Sequence, residues 1–139
     1  MNLSTFKKIF RNTWFSPRYL GWAYISENLS LTRDYVTGVL ADIGCGICPY
    51  EDLFRDRIDR YIKIDWPTSL ANTRAQVISD ALCLPLRRDS LDTVLALELL
   101  EHLPDPDKFV VEVARVLRPS GIFILSVPFL EPIHEEPRD

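Results

Sequence analysis

Four acids in this chain stand at the ends of short apolar runs, where each could meet a ligand. Asp42 follows Val39-Leu40-Ala41, Asp65 follows Tyr61-Ile62-Lys63-Ile64, Asp80 follows Val77-Ile78-Ser79, and Glu98 follows Val94-Leu95-Ala96-Leu97. Carboxylates accept hydrogen bonds from hydroxyls and amines, attract cations and repel phosphate. Gathered in one crevice, they suit hydroxyl groups, exocyclic amines and a cation. Asp42 leads into Ile43-Gly44-Cys45-Gly46-Ile47-Cys48-Pro49-Tyr50. Glycine permits positive φ and removes the Cβ from a ligand's path. A helix opening at Pro49 would add unpaired N–H groups and the positive end of its dipole.

His102 and His134 are the two histidines and the candidates for a general base acting on a substrate hydroxyl. For His102 the competing reading is structural, a side chain fixing the loop before Asp105. Cys45-Gly46-Ile47-Cys48 is also a CxxC, which at a helix N-terminus could stabilise a thiolate. The glycine-turn reading accounts for Asp42 and Gly44 as well and is preferred. Zinc needs four ligands, and only Cys83 and the histidines would be left to complete them, so no metal site is expected.

The elements that must position these residues follow from periodicity and punctuation. Residues 39–43, 61–65, 76–80, 92–97 and 121–127 read as strands, the fourth apolar enough to be covered on both faces. A helix is expected from Pro49 to about Arg57. A second, introduced by Asp105-Pro106, presents Phe109, Val110, Val113, Ala114 and Leu117 and ends at Arg118-Pro119. Between Thr68 and Ala75 only a short connection fits. This β-α-β-β-β-α-β pattern indicates an α/β fold with a parallel sheet and helices on both faces. Ligands in such sheets bind beyond the carboxyl ends of the strands, beside the first one.

Residues 1–34 form a separate helical extension, with Leu3, Phe6, Ile9 and Phe10 at helical spacing and a second helix starting at Ser16-Pro17. Its aromatics pack on the core, close over a ligand, or meet a membrane surface through Trp, Phe and the nearby basic residues. The whole chain of 139 residues is expected to be one domain, with the core at 35–139. A net charge of −4 disfavours nucleic acid as a partner. No run of about 18 apolar residues and no signal-peptide h-region is present. With an odd number of cysteines, that reads as a cytoplasmic protein without a transmembrane segment.

Taken in order, several segments resemble class I S-adenosylmethionine-dependent methyltransferases, and among them the methyltransferase type 11 group. They are Asp42-Ile43-Gly44-Cys45-Gly46, Asp65, Asp80-Ala81 with Leu84-Pro85, Asp92-Thr93-Val94, Glu98 to Pro106, Glu112 to Gly121, Ser126 to Phe129, and His134-Glu135. The resemblance implies a Rossmann-like sheet and S-adenosylmethionine as cofactor. It implies that Asp42 and the backbone of Gly44, Cys45 and Gly46 hold the methionine moiety, with Leu97 and Glu98 beside it. Asp65 would accept the ribose hydroxyls, next to Trp66, and Asp80 the adenine amine, helped by Ala81. The acceptor implied is a small molecule, lipid or sugar. A nicotinamide-binding domain shares the glycine turn and Asp65 but gives Glu98–Pro106 and Arg118–Gly121 no role.

Two departures stand out. The family's third glycine is Cys48 here. The family sheet also runs 3-2-1-4-5-7-6, whereas this chain ends soon after the fifth strand, which leaves the order 3-2-1-4-5. An uncovered apolar fifth strand is a pairing hazard, so either homo-oligomer formation along it or a tail, Phe129–Asp139, folding over it is expected. The same shortening raises an alternative function, a non-catalytic cofactor-binding or assembly-partner relative.

Overall fold

The computed structural model describes residues 17–66 and 73–128, with side chains from residue 24 onward. The helix expected before Trp14, residues 67–72, and the tail Phe129–Asp139 with His134 lie outside the described residues. The chain divides into two units, Met1–Thr32 and Arg33–Asp139. In the first, helix α1 spans Pro17–Thr32. Proline opens it because the first-turn N–H has no partner to lose. The Thr32 hydroxyl closes its last turn onto the Leu29 carbonyl at 2.8 Å.

The second unit is built on a five-stranded sheet. In chain order its elements are β1 (Gly38–Ile43), α2 (Glu51–Phe54), β2 (Ile58–Asp65), β3 (Val77–Ile78), β4 (Leu91–Leu97), α3 (Pro106–Val116) and β5 (Leu117–Ser126). The strand order is β3-β2-β1-β4-β5 and every pairing is parallel, as expected. Alternation divides the strands between two faces. Ala41, Ile43, Ile64, Val94 and Ala96 pack on one face with Phe109, Val113 and Val116 of α3. Tyr61, Lys63 and Asp65 point to the other face, where the Lys63 Nζ meets Glu51 of α2 at 2.8 Å. Helices therefore cover both faces.

α3 starts where Asp105 accepts a hydrogen bond from the Lys108 amide at 3.0 Å, with Pro106 at the first helical position. Its buried residues recur at i, i+4 and i+7, as one helical stripe requires. Val110 and Ala114, expected on that stripe, are exposed, and Val116 is buried in their place. Phe109 meets Phe123 of β5 edge-on, ring centres 6.1 Å apart.

Other boundaries differ for local reasons. Cys48 takes φ +54, so the helix expected from Pro49 cannot begin there and shrinks to a single turn. Its C-terminal end is a turn, Arg57 N–H to Phe54 carbonyl at 2.9 Å, and β2 starts at Ile58 instead of Tyr61. β3 keeps only Val77 and Ile78 of its expected run. β5 pairs Leu117 with Leu91 and then Ile122 with Thr93, so Arg118–Gly121 bulge out. A Cβ on Gly121 would come within 2.9 Å of the Arg118 carbonyl oxygen. Arg118 is anchored on Asp92, which also accepts from the Val39 amide at 2.7 Å.

One ion pair stitches α3 to the segment between β3 and β4. The Glu112 carboxylate accepts from the Leu84 amide at 2.8 Å and from Arg115 at 2.6 and 2.8 Å. Arg115 in turn donates to the Leu84 and Leu86 carbonyls at 3.1 and 2.9 Å. The guanidinium holds the Glu112 carboxyl below its usual range. Arg115→Ala should therefore destabilise the fold by about 2–4 kcal/mol, since it strands a mostly buried carboxylate and two carbonyls. Urea unfolding reads this directly, and an unchanged midpoint would refute it.

Candidate functional site

The site lies where β1, β2 and β4 end. Asp42 pairs in register with Lys63 on one side and Leu95 on the other, so two residues further on Gly44 is level with Asp65 and Leu97. Beyond Ile43 the chain turns with Gly44 at φ +74 and Gly46 at φ +48. The amides of Gly44 and Cys45 both donate to the Ile64 carbonyl, at 2.9 and 3.1 Å, tying the loop to β2. A Cβ on Gly44 would press on Leu99 at 3.0 Å, whereas one on Gly46 would meet nothing within 4 Å. Gly46 thus presents bare backbone to open space, as a loop that receives a ligand must.

Asp65 secures the loop from the far side. Its Oδ2 accepts from the Gly46 amide at 3.1 Å and from the Thr73 hydroxyl at 2.6 Å, and its Oδ1 accepts from the Trp66 amide at 2.8 Å. The Arg74 amide completes the clasp on the Gly46 carbonyl at 2.7 Å. Trp66 itself is half-exposed. The side of the loop facing α2 is polar and buried. Asp42 accepts from the Tyr61 hydroxyl at 2.7 Å. Burial pushes the Asp42 carboxyl up to about 6; Tyr61 and Lys63 oppose that rise and Asp65 adds to it. Burial likewise pushes up the Tyr61 hydroxyl and the Cys45 and Cys48 thiols. Two thiols held protonated are poor nucleophiles, and with a one-turn helix behind them the redox reading loses its basis. Glu51 is held below its usual range by the hydrogen bond from Lys63.

The remaining residues lie on either side. Glu98 stands at φ +51 just past β4, its amide on the Ser126 carbonyl at 3.1 Å and its Oε1 accepting from the Ser126 hydroxyl at 2.6 Å. Leu97 precedes it, level with Ser126. His102 closes a 3-10 turn, Leu100–His102, with its Nε2 3.9 Å from Glu101. That turn follows Leu99, the residue behind Gly44. Asp80, past β3, is exposed and closes a turn on the Leu82 amide at 2.8 Å, with Ala81 buried beside it. Hydrogen bonds thus join Asp65, Gly46 and Trp66, and the loop carries Asp42, Gly44 and Cys45 with them. Asp80, Ala81, Leu97 and Glu98 reach the same end of the sheet from separate segments, as does the turn that carries His102.

Sequence reasoning missed Tyr61, Thr73 and Ser126. For Tyr61 the signal was present, since Tyr61, Lys63 and Asp65 alternate with Ile62 and Ile64. Ser126 opens a segment already singled out, Ser126 to Phe129, but its bond to Glu98 could not be read there, and Thr73 had no signal, because its contact with Asp65 exists only once the chain folds back. Among the described residues there is no grouping that could hold a metal ion, and no helix is long and apolar enough to cross a membrane.

Comparison with known proteins agrees with this fold. A family model described as a methyltransferase domain matches residues 41–125. A probable S-adenosylmethionine-dependent methyltransferase of Mycolicibacterium smegmatis is 36% identical over 94 residues, covering 63% of this chain and 37% of the relative. Another, from Mycobacterium tuberculosis, is 36% identical over 124 residues, covering 84% of this chain and 43% of its own length. The chain thus spans about two fifths of the length of these curated relatives. A solved structure from Pyrococcus horikoshii superposes with a TM-score of 0.67 at 21% identity, over 93% of this chain and 64% of that one, which is a likeness of fold.

The buried Asp42 carboxyl makes stability depend on pH. An unfolded aspartate titrates near about 3.9. Between that value and about 6 the folded chain keeps a proton that the unfolded chain has released. The ligand-free fold therefore loses stability as pH rises through this window, by about 3 kcal/mol in all. Asp42→Asn removes the dependence. Its unfolding free energy, compared with that of the wild type, should improve by about that amount from about pH 4 to about pH 7. Parallel pH profiles for the two proteins would show that Asp42 is not the responsible group.

Proposed function

Since this chain belongs to the methyltransferase-domain family, we propose that it binds S-adenosylmethionine at the carboxyl ends of β1, β2 and β4 and serves methyl transfer to a small-molecule, lipid or sugar hydroxyl. One observation carries the reading: a carboxylate at the end of β2 bonded to the bare backbone of a left-handed glycine at the end of β1. That pair offers acceptor oxygens for a ribose and an unobstructed peptide for the chain attached to it. When bound, the cofactor, an alkylsulfonium, would supply an electrophilic methyl group to an acceptor oxygen that gives up its proton, with the neutral thioether as leaving group.

The protein's part is placement and charge. Asp65 would orient the nucleoside through its hydroxyls. Asp80 and Ala81, past β3, would receive the adenine, and Trp66, exposed next to Asp65, would offer it an aromatic edge. Gly44, Cys45 and Gly46 would line the methionine moiety with backbone, next to Leu97 and Glu98. Asp42 and Glu98 add negative potential, which favours the sulfonium over the uncharged thioether product and so favours product exchange. His102, on the turn behind the glycine loop, is the described candidate for taking the acceptor's proton. His134 is the second candidate.

Calorimetric titration tests this reading. S-adenosylmethionine and S-adenosylhomocysteine should bind and NAD should not. Asp65→Asn should weaken both by about a hundredfold, the scale of losing two hydrogen bonds to a carboxylate. Binding of NAD in preference, or of none of the three, would overturn the assignment. Activity then needs its own assay, methyl transfer from labelled cofactor to a panel of hydroxyl acceptors.

A further inference from the structure

The clasp on Asp65 carries a consequence for how a nucleoside could enter. A carboxylate offers about four lone-pair positions, two on each oxygen. In this structure Oδ2 accepts from the Gly46 amide and the Thr73 hydroxyl, and Oδ1 accepts from the Trp66 amide. Oδ2 is full and Oδ1 has one position left. A ribose cis-diol gripping the carboxylate with both hydroxyls needs one position on each oxygen. One resident donor must therefore leave Oδ2. The Gly46 amide is fixed by a loop that is itself bonded to β2. Only the Thr73 hydroxyl hangs on a rotatable side chain.

Thr73 is chemically suited to the place it holds. Its side chain is a secondary alcohol, as are the ribose hydroxyls, and it donates to Asp65 at 2.6 Å. It has one proton, so although it also lies 3.2 Å from the Gly46 carbonyl it can satisfy only one acceptor. The Ala75 amide donates back to its oxygen at 3.1 Å, and the Arg74 amide holds the Gly46 carbonyl at 2.7 Å. The Arg74 amide thus seats the segment on the glycine loop, and the Thr73 hydroxyl ties it to Asp65. Resting on the cofactor assignment above, we propose that Thr73 is an intrachain stand-in for a ribose hydroxyl, which an incoming nucleoside must displace from Asp65. The segment Thr73–Ala75 then sets cofactor affinity by competition and releases its hold on the loop when the site fills.

Two variants and one exchange measurement test this. Thr73→Val keeps the shape and removes the competing hydroxyl. It should bind S-adenosylhomocysteine about tenfold more tightly than the wild type, since a hydrogen bond to a carboxylate no longer has to be broken. Thr73→Ser keeps the hydroxyl and should stay within about twofold of the wild type. In the wild-type protein, saturation with S-adenosylhomocysteine should speed hydrogen exchange at the Ala75 amide, which loses its acceptor, while protecting Gly46. Thr73→Val binding no tighter than the wild type, or an Ala75 amide that exchanges more slowly with ligand, would overturn the displacement while leaving the cofactor assignment standing. A wild-type protein that binds neither S-adenosylmethionine nor S-adenosylhomocysteine would remove the assignment itself, and this inference with it.

Discussion

Much of this structure turns on one carboxylate meeting one peptide N–H. Asp65 reaches from β2 across to Gly46, and Gly46 can present its amide only because the loop passes through positive φ there. The contact fixes more than the loop. Gly44 and Cys45 donate to the Ile64 carbonyl, one residue before Asp65, so loop and strand are held by neighbouring peptides. Leu99, at the entry to the turn after β4, fills the space that a side chain on Gly44 would need. The ends of β1, β2 and β4 are therefore locked together through glycine positions. The glycine loop is thus already folded when a ligand arrives, which lowers the entropic cost of binding there; the Thr73 hydroxyl on Asp65 is the one contact such a ligand would have to displace.

That surface carries an electrostatic cost within the sheet. Asp42, Lys63 and Asp65 are all buried, on a strand face that would otherwise be apolar. Buried charge is tolerated when it is paired and bonded, and the pairing here is specific: Lys63 with Glu51, Asp42 with Tyr61, and Asp65 with three donors. Asp42 is the least compensated: burial pushes its carboxyl upward, Asp65 adds to the rise, and the hydrogen bond from the neutral Tyr61 offsets it only in part. A cation arriving beside it would supply the missing compensation. The upward shift of Asp42 and the proposed preference for a sulfonium would then share one cause.

The sheet was legible in the sequence because its signals are local. Apolar runs such as Val94–Leu97 and the stop residues around them require no knowledge of neighbours. The helix at Pro49 misled for an equally local reason, because Cys48 sits where the family has a glycine and still adopts a glycine-like conformation, which pushes the helix start to Glu51. Val110 and Val116 compete for the same stripe of α3, and only the sheet beneath decides between them. In the site, Asp42, Gly44, Gly46 and Asp65 could be read as a set because each sits at a strand end. Thr73 could not, since an unremarkable threonine in a polar connection becomes important only when the chain folds back onto Asp65.

The stretch from Glu112 to Gly121 shows why a family signature says more about scaffold than about substrate. Each of its polar residues has a mechanical task here. Glu112 and Arg115 hold the segment between β3 and β4, Arg118 ties the bulge of β5 to Asp92, and Gly121 lets that bulge turn against the Arg118 carbonyl. None of these contacts lies at the end of the sheet where the acids gather. They set the height of β4 and β5, which delivers Glu98 and Ser126 to that end already bonded to each other. A chain can therefore keep the signature whatever it methylates, because what the signature preserves is the register of two strands. If Glu98 and His102 serve the acceptor as proposed, its choice falls to residues that face them from outside the sheet. Those residues owe nothing to the register, so the motifs that identify the fold are silent about them.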